Sequence, residues 1–434
     1  MKMKRKRIFI TGIGPLSSLG IGKNETWKNL IESRSNICLE KVLLDKEAIS
    51  EFFIHKIRRF SVSELGLDAQ KINEIKSWKK GNDVVDLNYF IAAIKLALDD
   101  AAIGDYYSSK EVGMVLGHEN PGLNQSLFEL FSDAYNLLCK QRISRGQFIK
   151  KIYNIGSRRV YDLQTFMFLY HISRIFNIHG FSLFINNACC SGLYALETAS
   201  DVIRSGKCKA MIVSAVDSPD FYKYLWFREI GMHSDGKKIL PFSKNANGFI
   251  LGHGGAALLL EDEVSAVKRK AKIYAEYVNG SFFLESWKVT YPAIKEHFYK
   301  DLLSNLLKKS KIKPSQIQLI TPHGVGNKII DSYEASEILE VFKKAESSVL
   351  MTAFKPYIGH TLGASALLET ILLIMSMEKN LVVPVLEKNI SNLIPSVSFT
   401  DEFKHVKIKL AVKTCTGFAG FDGAVILKNM VDRK

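Results

Sequence analysis

Several things are scarce in this 434-residue sequence, and each scarcity removes a class of protein. Only six cysteines occur (Cys38, Cys139, Cys189, Cys190, Cys208 and Cys415), and none is spaced as a CxxC pair. A disulfide framework and a metal site are therefore not expected, and a reducing cytoplasm fits the usage. Long apolar runs are missing as well. The longest helical one, residues 361–377, carries Glu369 in its middle and falls short of a bilayer span, so no membrane segment is expected. The opening MKMKRKRIFITGIGPLSSLG imitates a signal peptide, but Gly12, Gly14, Pro15, Ser17 and Ser18 interrupt its apolar run. A first strand over 7–11 is the better reading. Acidic residues are in the minority, 44 against 59 lysines and arginines, for a formal charge of +15. That surplus suits an acidic partner, yet no nucleic-acid-binding motif accompanies it, and nucleic acid is not expected. Two glycine-rich stretches also fail as phosphate loops. Gly12-Ile-Gly14 has Ser17 where a dinucleotide fingerprint needs its third glycine, and Gly22-Lys23 is followed by Asn24 where a metal-binding hydroxyl belongs.

What remains is an alternation of strand-like and helical runs. Strands are expected at 112–116, 181–185, 210–215, 255–261, 273–280, 317–321, 349–352 and 423–428. Helices are expected at 25–33, 87–102, 300–309, 331–343 and 362–378. Alternation of this kind predicts an α/β fold with largely parallel, doubly covered sheets. A coarse internal echo divides the chain: each half holds a strand, a turn of small residues, and a buried helix with a reactive side chain at its start. The segment EVSAVKRKAK, at 263–272, fits the connection between halves. Residues 123–178 differ in character, with Phe, Tyr and Leu at helical spacing. They read as helices over the core, lining a pocket or a subunit contact.

Three polar groups stand at strand ends. In FSLFINNACCSGLYALETASDVIRSG, a short strand and a turn place Cys189 at the mouth of a helix, where free backbone N–H groups and the helix dipole favour a thiolate. A free cysteine is as often a small buried hydrophobe. His323 in ITPHGVGN and His360 in KPYIGHTLGA occupy comparable glycine-flanked turns. One such histidine is commonplace, but two together with a cysteine suggest a nucleophilic site.

These motifs, with RIFITGIGPLSSLGIG, ILPFSKNANGFILGHGGAALLLED and TGFAGFDGAVIL in the same order, resemble the β-ketoacyl-acyl carrier protein synthases. Those are condensing enzymes of the thiolase fold, here of the Cys-His-His type. The resemblance implies two duplicated α/β halves in an α-β-α-β-α arrangement, residues 1–265 with a helical cap at about 120–178, and residues 266–434. It implies decarboxylative condensation of an acyl-enzyme thioester with malonyl-acyl carrier protein, in fatty-acid or type II polyketide-like biosynthesis. Cys189 would carry the acyl group, and His323 and His360 would flank the malonyl thioester. Lys355 would organise the histidines, with Glu334 and Glu369 neutralising it. Backbone N–H groups of Cys189 and Phe418 would form an oxyanion hole, and Phe418 would gate the pocket. Val325 and Asn327 stand where hydroxyl residues normally contact pantetheine. No permanent cofactor is implied, since substrates ride on the phosphopantetheine of an acidic acyl carrier protein. A homodimer is implied, with a heterodimer open.

Departures from the pattern are Val325, Cys190 after the nucleophile, His253, Thr416 and Ala419. They point to a specialised member, or to a non-condensing chain-length-factor-like partner subunit. A basic binding protein with an idle site is a third reading. Degradative thiolase is disfavoured, because Cys415 lies where the glycine-rich loop has a serine.

Overall fold

The first strand runs further than its apolar residues alone predict. In the computed structural model, which describes residues 6–44, 47–79, 84–119, 123–140, 143–159, 164–343, 349–385 and 397–430, strand β1 spans Ile8–Ser17 and passes through Gly12, Gly14 and Pro15. The basic head at 1–5 lies outside the described residues. The glycines serve packing, not ligand binding. A Cβ on Gly12 would lie 2.2 Å from the Ala97 carbonyl oxygen, and one on Gly14 2.1 Å from that of Ala93. Both carbonyls belong to helix α1, Val85–Ala101, which rests on β1.

The other strands on the main path are β2 (Val112–Gly117), β3 (Ser182–Ile185), β4 (Ala210–Asp217), β5 (Gly254–Asp262), β6 (Ala275–Leu284), β7 (Leu319–Thr321), β8 (Val349–Met351), β9 (Val397–Phe399), β10 (Leu410–Gly417) and β11 (Phe421–Asn429). They form one twelve-stranded sheet in the order β9-β8-β7-β10-β11-β6-β1-β5-β4-β2-β3, with the short strand Gly20–Ile21 paired to β1 off this path.

The order repeats itself. β2 lies between β3 and β4, parallel to both, and the run continues antiparallel through β5 to β1. β7 lies between β8 and β10, parallel to both, and the run continues antiparallel through β11 to β6. The two runs join where β1 pairs antiparallel with β6, Ile8 opposite Tyr277 and Ile10 opposite Ala275. The expected largely parallel sheet is therefore corrected to a mixed one. The middle is antiparallel because short links such as the Phe418–Gly420 turn between β10 and β11 leave no room for a crossover.

Besides short or peripheral helices at Lys23–Ile31, Ala69–Lys79, Glu263–Lys268 and Lys355–Ile358, the remaining helices are α2 (Leu123–Lys140), α3 (Arg145–Arg159), α4 (Thr165–Phe176), α5 (Ser191–Arg204), α6 (Phe221–Glu229), α7 (Phe298–Ser310), α8 (Lys328–Phe342) and α9 (Ser365–Lys379). Helices α5 and α9 pack together within the largest apolar cluster, against strands of both runs. They touch so closely that a Cβ on Gly192 would fall 2.6 Å from that of Leu367. Outside the sheet, α1 covers one run and α7 with α8 the other. The layering is α-β-α-β-α, as the resemblance implied.

Where the second run has α8 alone between its parallel strands, the first has α2, α3 and α4. Residues 141–142 and 160–163 of that stretch lie outside the described residues. Phe168, Ile172 and Ile175 of α4 are buried, while Phe131, Tyr135, Tyr153 and Phe166 are exposed. None of the described helices is long and apolar enough to cross a membrane.

Candidate active site

The two central helices begin on the same side of the molecule, and that is how residues far apart in sequence meet. Cys189 precedes the N-cap Cys190 of α5, in a turn where Ala188 takes a positive φ of 50°. His360 precedes the short turn Leu362–Ala364 that leads into α9. The expected helix over 362–378 is thus broken at its start, where Leu362 has φ 47°. His323 follows β7.

Cys189 Sγ lies 3.4 Å from His360 Nε2, and the two imidazoles stand edge to face with ring centres 5.3 Å apart. All three side chains line one cleft, together with Phe249, Val325 and Phe418.

Hydrogen bonds fix the tautomers. The Leu362 N–H donates to His360 Nδ1 at 3.1 Å, so the ring proton sits on Nε2, facing the sulfur. Lys355 Nζ lies 3.4 Å from His323 Nδ1, and an ammonium can only donate, which puts that ring's proton on Nε2 too. Burial, then the Lys355 charge, holds both imidazoles well below the usual histidine range. Both are therefore neutral N–H donors at neutral pH.

Burial likewise pushes the Cys189 thiol well up, with Glu119 and Cys415 adding to it and Lys355 and Lys223 opposing. Desolvation thus works against the helix terminus at this sulfur.

Lys355 is fully buried and bonded to Glu369 at 2.6 Å and to the His323 carbonyl at 2.6 Å. Burial alone would lower its pKa, but Glu369 first, then Cys415 and Glu334, together hold it raised. Glu369 also takes Lys413 Nζ at 2.6 Å and the Ser365 hydroxyl at 2.7 Å. Glu334 makes no direct bond to Lys355 and acts on it only through its charge. Its carboxylate accepts the backbone N–H of His323 at 2.5 Å and of Gly324 at 2.8 Å, and the Tyr299 hydroxyl at 2.6 Å. It shapes the His323 turn. Val325 lines the cleft, whereas the Asn327 side chain caps α8 through the N–H groups of Ile329 and Ile330. Phe418 stacks on Phe227, ring centres 5.5 Å apart, and meets Trp226 edge-on at 5.4 Å.

Three residues act at the site beyond those the sequence assigns to it. Cys415 Sγ lies 3.5 Å from His323 Nδ1 and 3.3 Å from the Cys189 carbonyl. Lys413, two positions earlier in β10, completes the Glu369 pair. A lysine and a thiol at i and i+2 inside LAVKTCT share one face of a buried strand, a signal that could have been read. Glu119, beside the Lys223 ammonium, is the largest charge acting on Cys189; nothing in its local sequence points to that. Among the described residues, no cluster of His, Cys, Asp and Glu could hold a metal.

With this geometry in hand, comparisons with known proteins are specific. The family model described as "Beta-ketoacyl synthase, N-terminal domain" matches residues 5–266, and "Beta-ketoacyl synthase, C-terminal domain" matches residues 274–389. The chain is 23% identical over 438 residues to 3-oxoacyl-[acyl-carrier-protein] synthase 2 of Coxiella burnetii, spanning 99% of this chain and 100% of that one. It is 26% identical over 439 residues to the chloroplastic 3-oxoacyl-[acyl-carrier-protein] synthase I of Arabidopsis thaliana, spanning 97% and 86%. Among solved structures, a chain of AntDE:AntF, a type II PKS acyl-carrier protein in complex with its ketosynthase, superposes with a TM-score of 0.81 at 20% identity over 98% of this chain and 100% of that one. The ishigamide ketosynthase/chain length factor does so at 0.82, also at 20% identity and with the same coverage. At such identities these structures establish the shared fold.

Proposed function

The chain belongs to the β-ketoacyl synthase family, and on that premise we propose that it condenses an acyl group held on Cys189 with a malonyl unit delivered by an acyl carrier protein. In the first half-reaction the Cys189 sulfur attacks the carrier thioester carbonyl. The thioester C–S bond to pantetheine breaks, the acyl–Cys189 bond forms, and the thiol proton leaves with the pantetheine sulfur. Negative charge on the tetrahedral intermediate's oxygen would be met by the backbone N–H groups of Cys189 and Phe418. One such donor is worth about 2.7–4 kcal/mol of barrier.

In the second half-reaction a malonyl thioester enters. Its carboxylate departs as CO₂, and the electron pair passes to the thioester enolate. An enolate oxygen between the two imidazoles would accept from His323 Nε2–H and His360 Nε2–H. Neutral donors suit this step, since they bind the developing charge without giving up a proton. The enolate carbon then attacks the acyl carbonyl, the acyl–Cys189 C–S bond breaks, and Cys189 leaves as a thiolate that takes a proton from solvent. Lys355 would hold His323 in the donor tautomer.

The observation that carries this reading is the contact of Cys189 with His360 Nε2 at 3.4 Å, beside a second imidazole whose tautomer is set by a buried lysine. Intact-protein mass measurement after incubation with acyl-carrier thioesters tests it. An acyl mass on Cys189, absent from Cys189→Ala, is expected; no adduct across a panel of chain lengths would overturn the reading.

The acidic carrier would account for the +15 surplus. We place the division between halves near residue 265, in the link that joins β5 to β6, and the reaction in a reducing cytoplasm. Dimerisation through β3 is supported by its place at the end of the sheet and by its exposed Leu183. A chain-length-factor-like partner subunit is the second reading, with which the fold shared with the ishigamide ketosynthase/chain length factor is compatible. Copurification with a second synthase-like chain, and inactivity alone, would establish it.

A further inference from the structure

One buried charge has no part in the chemistry above. Lys413 lies on β10, opposite Thr321 of β7, and is fully buried. Its ammonium donates to Glu369 Oε2 at 2.6 Å and to the Pro322 carbonyl at 3.1 Å. Glu369 does not lack a partner without it. Lys355 already donates to Glu369 Oε1 at 2.6 Å, and the Ser365 hydroxyl to the same oxygen at 2.7 Å. Burying a second ammonium is costly, and an apolar side chain of similar volume would serve the interior of a strand as well or better. The charge of Lys413 is therefore the feature that needs a role.

The two ammoniums hold successive carbonyls of one turn, Lys413 that of Pro322 and Lys355 that of His323 at 2.6 Å. Lys355 spends its three protons on Glu369, on the His323 carbonyl and, at 3.4 Å, on His323 Nδ1. Glu369 thus answers two ammoniums with one carboxylate, and the bonded triad Lys413–Glu369–Lys355 carries one positive charge in excess. Its Lys355 end touches the imidazole that lines the cleft with Cys189. Lys413 adds to burial and to Lys355 in holding both imidazoles down.

We propose that Lys413 is a positioning residue: by sharing Glu369 with Lys355, it leaves one positive charge unneutralised behind His323, and that charge favours the negative charge that forms in the cleft. On the condensing reading above, on which this inference rests, the negative charge is that of the enolate.

The test reads the charge without condensation, through Cys189. Peptide-resolved labelling compares iodoacetate, an anion, with neutral iodoacetamide. The same sulfur attacks both, so their rate ratio cancels changes in its exposure and ionisation and leaves the local potential. In Lys413→Met the ratio should fall about fivefold. In Lys413→Met Glu369→Gln, where the carboxylate is gone as well and Lys355 again stands unneutralised, it should return towards the native value. A lysine that serves packing alone predicts no fall, and a second core substitution would then bring no recovery. Malonyl-thioester decarboxylation should fall by a similar factor in Lys413→Met. A native protein that decarboxylates no malonyl thioester would defeat the condensing reading alone, and the labelling ratio would still decide for or against Lys413. An unchanged ratio in Lys413→Met, or a double variant at or below the single one, would overturn the proposal. Should Lys413→Met fail to fold, Lys413→Gln, whose neutral amide can still donate, carries the same comparison.

Discussion

Cys189, His323 and His360 could be picked from the sequence because each stands alone as a reactive group in a small-residue turn. Their protonation could not, because it depends on what buries them. The thiol is pushed up and the imidazoles down by the same desolvation, and local sequence carries no measure of that. The supporting residues show the same divide. Lys355 and Glu369 enter through the family resemblance, while the partner of Lys413 is known only once β10 lies beside β7. Removing one partner of a buried ion pair costs about 3–5 kcal/mol. Lys355→Met should fall at the low end of that range, because Lys413 still holds Glu369. A denaturant midpoint measures it. Cys415 should matter through its contact with His323 Nδ1. One hydrogen bond is worth about 1 kcal/mol. Malonyl decarboxylation by Cys415→Ala should therefore run about fivefold slower than native, while Cys415→Ser, which keeps a donor there, should lose less.

Single elements were legible mostly by their apolar periodicity, and their ends were not. The first strand was stopped short at 11, because Gly12, Gly14 and Pro15 read as turn residues. They are instead the flat surface on which α1 lies, and only the tertiary contact reveals it. The helix after His360 was drawn as continuous, although Leu362 breaks it and thereby presents the N–H that sets the tautomer of His360. Glycine at the crossing of α5 and α9 is the element most exposed to test. A methyl at Gly192 would lie 2.8 Å from the Leu367 backbone nitrogen, and backbone cannot step aside as a side chain can. Gly192→Ala should destabilise by about 1–3 kcal/mol. It should also slow acyl loading, because Cys189 and His360 stand at the mouths of those two helices. Calorimetry and single-turnover mass measurement check the two effects separately.

Over the whole molecule, buried neutral histidines set the acid limit. His55 is lowered to about 3, and His233 and His253 to about 4, chiefly by burial; His323 and His360 are lowered further by the lysines around them. A histidine whose folded pKa is depressed supports the fold above its unfolded value and withdraws that support as pH falls below it. Each then costs about 1.4 kcal/mol per pH unit below roughly 6.5. Melting temperatures should drop steeply from pH 6.5 to 5, more steeply than for a His233→Phe His253→Phe double variant. The repeated strand order has a different consequence. The two runs meet at the short β1–β6 seam and through α5 and α9, which pack on strands of both. A chain severed between residues 265 and 272 would leave the sulfur on one fragment and both imidazoles on the other. Each fragment alone would bare an apolar helix and precipitate, but the pair, made together in one cell, should dock and regain the power to take up an acyl group, so the chemistry itself would report the reunion.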